Sequence, residues 1–200
     1  MITGIFGLPR AGKTTTLAWI AAKANKGKAP FVGHLLGGRS YIGEFAPYER
    51  VYSSFPLPGC FQLQWEMLGK LQYENCLILI DEISHYCDNR DWKNFTPELR
   101  YFFTMHGHMK IDFVYCGQHW EQVDKKIQQM TQQLFYIEKR GGLTKISPVH
   151  TSFKFAGGTP TMKYYLAPPL GCSMIRRKKY YSHFNSFDFK RLPDAPAIPW

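Results

Sequence analysis

A chain of 200 residues with an apolar fraction of 44% suits one folded domain with a sizeable core. No run reaches the roughly 18 apolar residues of a membrane span and no basic-then-apolar leader precedes Met1-Ile2, so the expectation is a cytosolic chain that neither crosses a bilayer nor carries a signal peptide. The net charge of +10 and isoelectric point near 9.4 call for an acidic partner, whether nucleic acid, anionic lipid or nucleotide.

Met1-Ile2-Thr3-Gly4-Ile5-Phe6 is short and apolar and reads as a strand, and residues 15–24 hold helix formers without Gly or Pro. Between them, Gly7-Leu8-Pro9-Arg10-Ala11-Gly12-Lys13-Thr14 fits the Walker A pattern G-x-x-x-x-G-K-[ST], in the strand-then-helix context the pattern requires. Gly7 and Gly12 let the backbone turn tightly, so that the stretch from Gly7 to Thr15 can cradle an anion with its N–H groups and the helix N-terminus. Lys13 would reach the β- and γ-phosphates, and Thr14 would hold Mg²⁺.

Lys26 to Pro30 reads as a turn, and residues 31–59 as weakly regular chain with a short strand at 50–53. Residues 65–73 read as a helix. Leu77-Ile78-Leu79-Ile80 then has the continuous apolar character of a central parallel strand, with Asp81 and Glu82 emerging at its carboxyl end. Asp81 would bind Mg²⁺ through water and Glu82 would act as general base on an attacking water, which favours hydrolysis over transfer to a small acceptor. A turn at 88–91 and a helix over 97–107, with Pro at its start and Gly at its end, lead to an apolar strand over 111–118. With that strand inserted between the Walker A strand and the Leu77–Ile80 strand ending in Asp81-Glu82, the Walker B strand, Gln118 at its tip would contact the γ-phosphate or the water.

Residues 120–133 carry a helical stripe at Val123, Ile127, Met130 and Leu134, and 134–139 return as a strand into a hairpin turn at Lys139-Arg140-Gly141-Gly142. From Thr144 the chain changes character, with short strands and an extended Pro-rich tail expected; the organisation predicted is an NTPase core over 1–143 and a packed appendage over 144–200. Arg176-Arg177-Lys178-Lys179 followed by Tyr180 and Tyr181 suits either a single nucleic acid strand or a charged edge packed by its aromatics. The five cysteines are odd in number and irregularly spaced and read as reduced thiols. His85-x-Cys87, His106-x-His108 and Cys116-x-x-His119 make no paired C-x-x-C framework, so nucleotide-held Mg²⁺ is the metal expected. The fold class predicted is an α/β P-loop NTPase with a mostly parallel central sheet flanked by helices.

The Walker A loop, the Leu-Ile-Leu-Ile-Asp-Glu strand, the run from Ile111 to Gln118 and the late block Lys179-Tyr180-Tyr181-Ser182-His183-Phe184-Asn185-Ser186-Phe187 together resemble the N-terminal ATPase domain of the Zot family, the zonula-occludens-toxin-like assembly proteins of filamentous phages. Family members often carry Arg and His before Gly107, where this chain has Thr104 and Met105. The resemblance implies an ASCE, FtsK/HerA-like ATPase using ATP and Mg²⁺ at the cytoplasmic face of the host inner membrane. It would help extrude single-stranded phage DNA, acting as a homo-oligomeric ring with other phage assembly proteins and reaching the membrane through a segment beyond this chain. Arg100 and Arg90, near the Walker B strand, are candidates for an arginine acting on a neighbouring subunit's γ-phosphate. Other DNA-translocating or genome-packaging ATPases, a nucleotide-gated assembly module with little turnover, and a small-molecule phosphotransferase share the phosphate loop. The last would need an acceptor pocket and an Arg-rich lid, and neither is evident. No N-K-x-D base-reading motif decides between ATP and GTP.

Overall fold

The computed structural model describes residues 1–27, 31–33, 39–41, 45, 47–90, 95–156, 159–166 and 172–184, with backbone alone at 31–33, 39–41, 151–156 and 159–164. The rest of the turn expected at 26–30, Asp91, the Asn185-Ser186-Phe187 block and the tail prolines lie outside the described residues.

Continuous apolar runs produce the centre of the sheet, because a strand buried on both faces has no polar side to show. The strands are β1 (Ile2–Phe6), β2 (Phe31–Gly33), β3 (Arg39–Tyr41), β4 (Arg50–Ser53), β5 (Phe61–Gln62), β6 (Cys76–Ile80), β7 (Asp112–Gly117), β8 (Gln133–Arg140), β9 (Leu143–Ala156), β10 (Thr159–Leu166) and β11 (Ser173–Arg176). Apart from the β2–β3 pair, they form one sheet in the order β10-β9-β8-β1-β7-β6-β4-β5, with β11 on the free side of β9. The pairs from β5 across to β8 are all parallel, and β9, β10 and β11 are antiparallel additions. β7 lies between β1 and β6, as expected, with Ile5 opposite Cys116 and Ile80 opposite Tyr115.

Alternation along these strands gives the two faces different partners. Ile5, Leu77, Leu79, Val114 and Cys116 point to helix α1 (Lys13–Ala24), whose Leu17, Ala18, Ile20 and Ala21 are buried against them. Ile2, Phe6, Ile78, Ile80, Phe113 and Tyr115 face helix α2 (Pro97–Met105). There Phe103 meets Phe113 edge-on at 5.0 Å between ring centroids, and each such buried ring stabilises the fold by about 1.5–3 kcal/mol. Thr96 caps α2 by accepting the Leu99 N–H at 3.3 Å, and Pro97 follows at the first helical position.

Two predicted helices are corrected. Over 65–73 only a 3-10 turn forms, at Trp65–Met67, because Gly69 sits at φ +81° with its Cα against the Glu98 backbone; a Cβ there would lie 2.1 Å from the Glu98 carbonyl oxygen. Over 120–133 a 3-10 turn at Trp120–Gln122 gives way to extended Val123, and helix α3 occupies only Lys125–Met130. Asp124 starts that helix by accepting the Lys126 N–H at 2.8 Å, and Gln128 Nε2 ties it back to the Trp120 and Val123 carbonyls, both at 2.9 Å. Val123 and Ile127 are fully buried all the same, so the stripe reported burial without reporting conformation.

The short strands expected after Thr144 are instead one 14-residue strand and its neighbours. Gly141 at φ +57° makes the tight β8–β9 turn, and β9 pairs with β11 up to Ile146, with β8 up to Pro148 and with β10 from Val149 onward. Proline has no N–H for a ladder, and it falls where β9 changes partners. A 3-10 run, Arg177–His183, then lays Tyr180 into the α1 face of the core.

Candidate nucleotide site

The carboxyl ends of β1, β6 and β7 converge on one rim. Leaving β1, the chain needs glycine twice: a Cβ on Gly7 would lie 2.6 Å from the Ile137 carbonyl oxygen, and one on Gly12, at φ +109°, would lie 2.2 Å from Thr144 Oγ1. Leu8, Pro9 and Arg10 are exposed at the loop tip, Arg10 in the left-handed region at φ +62°, while Ala11 and Gly12 are buried. Gly12 offers no side chain to cap α1, so the helix opens onto the loop with its positive end unmasked. Lys13 Nζ folds back into the loop and donates to the carbonyls of Gly7 at 2.9 Å and Leu8 at 3.4 Å. Thr15 is buried, and the Thr16 hydroxyl donates to Gly12 O at 2.9 Å, tightening the first turn.

The predicted acids meet this loop. Thr14 Oγ1 donates to Asp81 Oδ2 at 2.7 Å, and the Asp81 N–H is held at 2.9 Å by Ser54 Oγ, just past the end of β4. Glu82 leaves the strand in the left-handed region, φ +54° and ψ +72°, a conformation costly for a residue with a side chain and found at functional sites. Its two carboxylate oxygens accept from Ser84 Oγ at 2.9 Å and from Gln118 Nε2 at 3.3 Å. The structure thus joins Thr14 to Asp81 and Glu82 to Gln118. Crowding by protein pushes the Asp81 carboxyl above its ordinary range, opposed by the Thr14 hydrogen bond and by Lys13. A hydroxyl and a carboxylate facing each other are hard oxygen ligands that suit a divalent cation, so Thr14 and Asp81 are the pair that would hold Mg²⁺.

The family described as Zonular occludens toxin (Zot) matches residues 57–162, just over half of the chain. The chain belongs to the Zot family. This Zot-family chain shares its fold with the N-terminal domain of zonular occludens toxin from Neisseria meningitidis, at a TM-score of 0.54 and 16% identity over 92% of this chain and 98% of that one. A weaker likeness is to the genome packaging NTPase B204 from Sulfolobus turreted icosahedral virus 2, at a TM-score of 0.46 and 10% identity over 82% and 95% of the two chains. A comparison with curated protein sequences finds no match.

Within the Zot-family chain, Arg100 is exposed on α2, the helix packed on the face away from α1, and Arg90 is exposed in the turn after β6. Sequence reasoning missed four residues at the site: Ser54, Ser84, Thr144 and Arg177. Arg177 carried a signal as part of the basic run, but its structural partner is the phosphate loop, where Nη2 donates to Arg10 O at 3.2 Å. The other three are ordinary hydroxyl residues in sequence: Ser84 sits two residues from Glu82, and strand pairing brings Ser54 and Thr144 to the rim.

The raised Asp81 pKa gives a stability expectation. The folded protein holds this proton more tightly than the unfolded chain does, so the contribution is favourable at low pH and is lost as pH rises past the ordinary carboxylate value of 3.8 and through the raised one. At neutral pH, above that ordinary value, the shift costs the folded protein stability. Asp81→Asn is therefore expected to raise the melting temperature of the nucleotide-free protein at pH 7 while weakening Mg²⁺-nucleotide binding; a lower melting temperature in calorimetry would contradict the account.

Proposed function

We propose that this chain is a Mg²⁺-dependent ATPase motor for filamentous phage assembly, driving extrusion of single-stranded DNA at the host inner membrane as a homo-oligomeric ring. The observation that carries the hydrolytic part is the convergence of Thr14 with Asp81 and of Glu82 with Gln118 on the rim beside Lys13. Family membership supports the phage setting. No helix among the described residues is long and apolar enough to cross a membrane.

In this reading the phosphates lie along the loop from Gly7 to Thr15, and Lys13 leaves the Gly7 and Leu8 carbonyls for the β- and γ-phosphates. Thr14 and Asp81 would hold the cation, which when bound would supply neutralisation of phosphate charge. Glu82 takes the proton of the attacking water as oxygen bonds to the γ-phosphorus and ADP departs. Gln118, already bonded to Glu82, couples γ-phosphate contact to the position of that base. An arginine from the next subunit, Arg100 or Arg90, completes the charge around the γ-phosphate.

Phosphate release from Mg²⁺-ATP, measured over a protein concentration series with and without single-stranded DNA, tests the proposal. Specific activity is expected to rise with protein concentration and with DNA. Tight ATP binding with negligible turnover at every concentration would replace the motor by a nucleotide-gated assembly module.

A further inference from the structure

In a phosphate-binding loop the N–H groups turn inward to the anion, which leaves the carbonyls turned outward and in need of partners. Two of those carbonyls are taken by residues outside any nucleotide motif. The buried Thr144 hydroxyl, at the start of β9, donates to Ala11 O at 3.3 Å, and its oxygen fills the space that only a glycine at position 12 leaves open. Arg177 Nη2, just past β11, donates to Arg10 O at 3.2 Å. Arg177 is itself anchored, its N–H donating to Gly142 O at 3.1 Å and its guanidinium lying 6.0 Å from the Tyr181 ring centroid; its Nε is buried with no partner. Gly142, Thr144 and Arg177 belong to neighbouring strands or their turns, because Arg176 pairs with Leu143 and Ile175 with Thr144 in the β9–β11 ladder.

We propose that Thr144 and Arg177 are positioning residues for the nucleotide. They brace the loop from behind, holding Arg10 and Gly12 in their left-handed conformations. Each hydrogen bond also polarises the peptide whose carbonyl it takes; for Thr144 that is the peptide carrying the Gly12 N–H. The antiparallel extension of the sheet is then part of the nucleotide site, and the inference rests on reading that loop as a nucleotide binder.

The test is binding of ATPγS with Mg²⁺ by calorimetry, together with steady-state hydrolysis and melting temperature, for wild type, Thr144→Val, Thr144→Ser, Arg177→Met and Arg177→Lys. Thr144→Val keeps the shape and loses the hydroxyl; it and Arg177→Met are each expected to raise Kd and KM about threefold to tenfold with kcat within twofold. Thr144→Ser, which keeps the donor, is expected to bind like wild type, and Arg177→Lys to recover part of the loss. Wild-type Kd in both Thr144→Val and Arg177→Met, or a lower melting temperature with Kd unmoved, overturns the positioning role while leaving the site intact. A wild-type protein that binds no ATPγS overturns the underlying reading and this one with it.

Discussion

Lys13→Ala is expected to abolish ATP binding and turnover together. The ammonium donates to two loop carbonyls, Gly7 O and Leu8 O, and so already lies within the loop that the phosphates would enter. Charge-assisted hydrogen bonds contribute about 1.5–3 kcal/mol each, so losing two to the phosphates weakens affinity about 100-fold or more. Lys13 is only half-buried and its present partners are backbone carbonyls within reach of water, so the fold itself should be spared. Titration with ATPγS beside a melting curve separates the two effects: lost binding at an unchanged melting temperature is the expected pair. Hydrolysis at the wild-type rate would defeat the assignment of the loop.

Glu82→Gln is expected to do the opposite to binding and the same to turnover. The amide has nearly the shape of the acid and can still meet Ser84 and Gln118, the two side chains that bond its carboxylate at 2.9 and 3.3 Å. It cannot take a proton from water. Loss of a positioned general base lowers rates by about 10² to 10⁴, so the variant should hold ATP through many wild-type turnovers. Glutamine is a better probe here than alanine, since alanine would also remove both hydrogen bonds that help hold position 82 at its unfavourable φ of +54°. Single-turnover phosphate release with bound ATP measured in parallel decides the matter, and rapid release by the variant would take Glu82 out of the mechanism.

Both variants sit in the part of the molecule that is most legible in sequence. The strand before the Walker A loop, the helix after it, the short strand at 50–53 and the strand leading into Asp81 all stand where local pattern puts them, because each is set by its own composition: an apolar run, a helix-forming run, a motif of fixed spacing. The helices expected at 65–73 and 120–133 failed for a different reason. Helical spacing of apolar residues records which side chains are buried, and Val123 and Ile127 are buried without one helix joining them. What broke each helix was a single residue with a tertiary or capping duty, Gly69 against the Glu98 backbone and Asp124 as an N-cap. The braces on the phosphate loop were least legible of all. Thr144 and Arg177 reach it across 133 and 167 residues of chain, and no local pattern carries a pairing that exists only once β9 and β11 lie side by side.

The 3-10 run at Arg177–His183 touches the loop through its first residue and α1 through Tyr180, while Lys178, Lys179 and Tyr181 stay exposed. Were an anionic chain to bind those three side chains, two binding surfaces joined by one short element would obey thermodynamic reciprocity. Whatever factor an anionic chain gripping those three side chains applied to ATP affinity, ATP would have to return to that chain. A loaded and an empty loop would then show the outside world two versions of one basic surface, and grip and release could alternate with the nucleotide cycle without any further moving part.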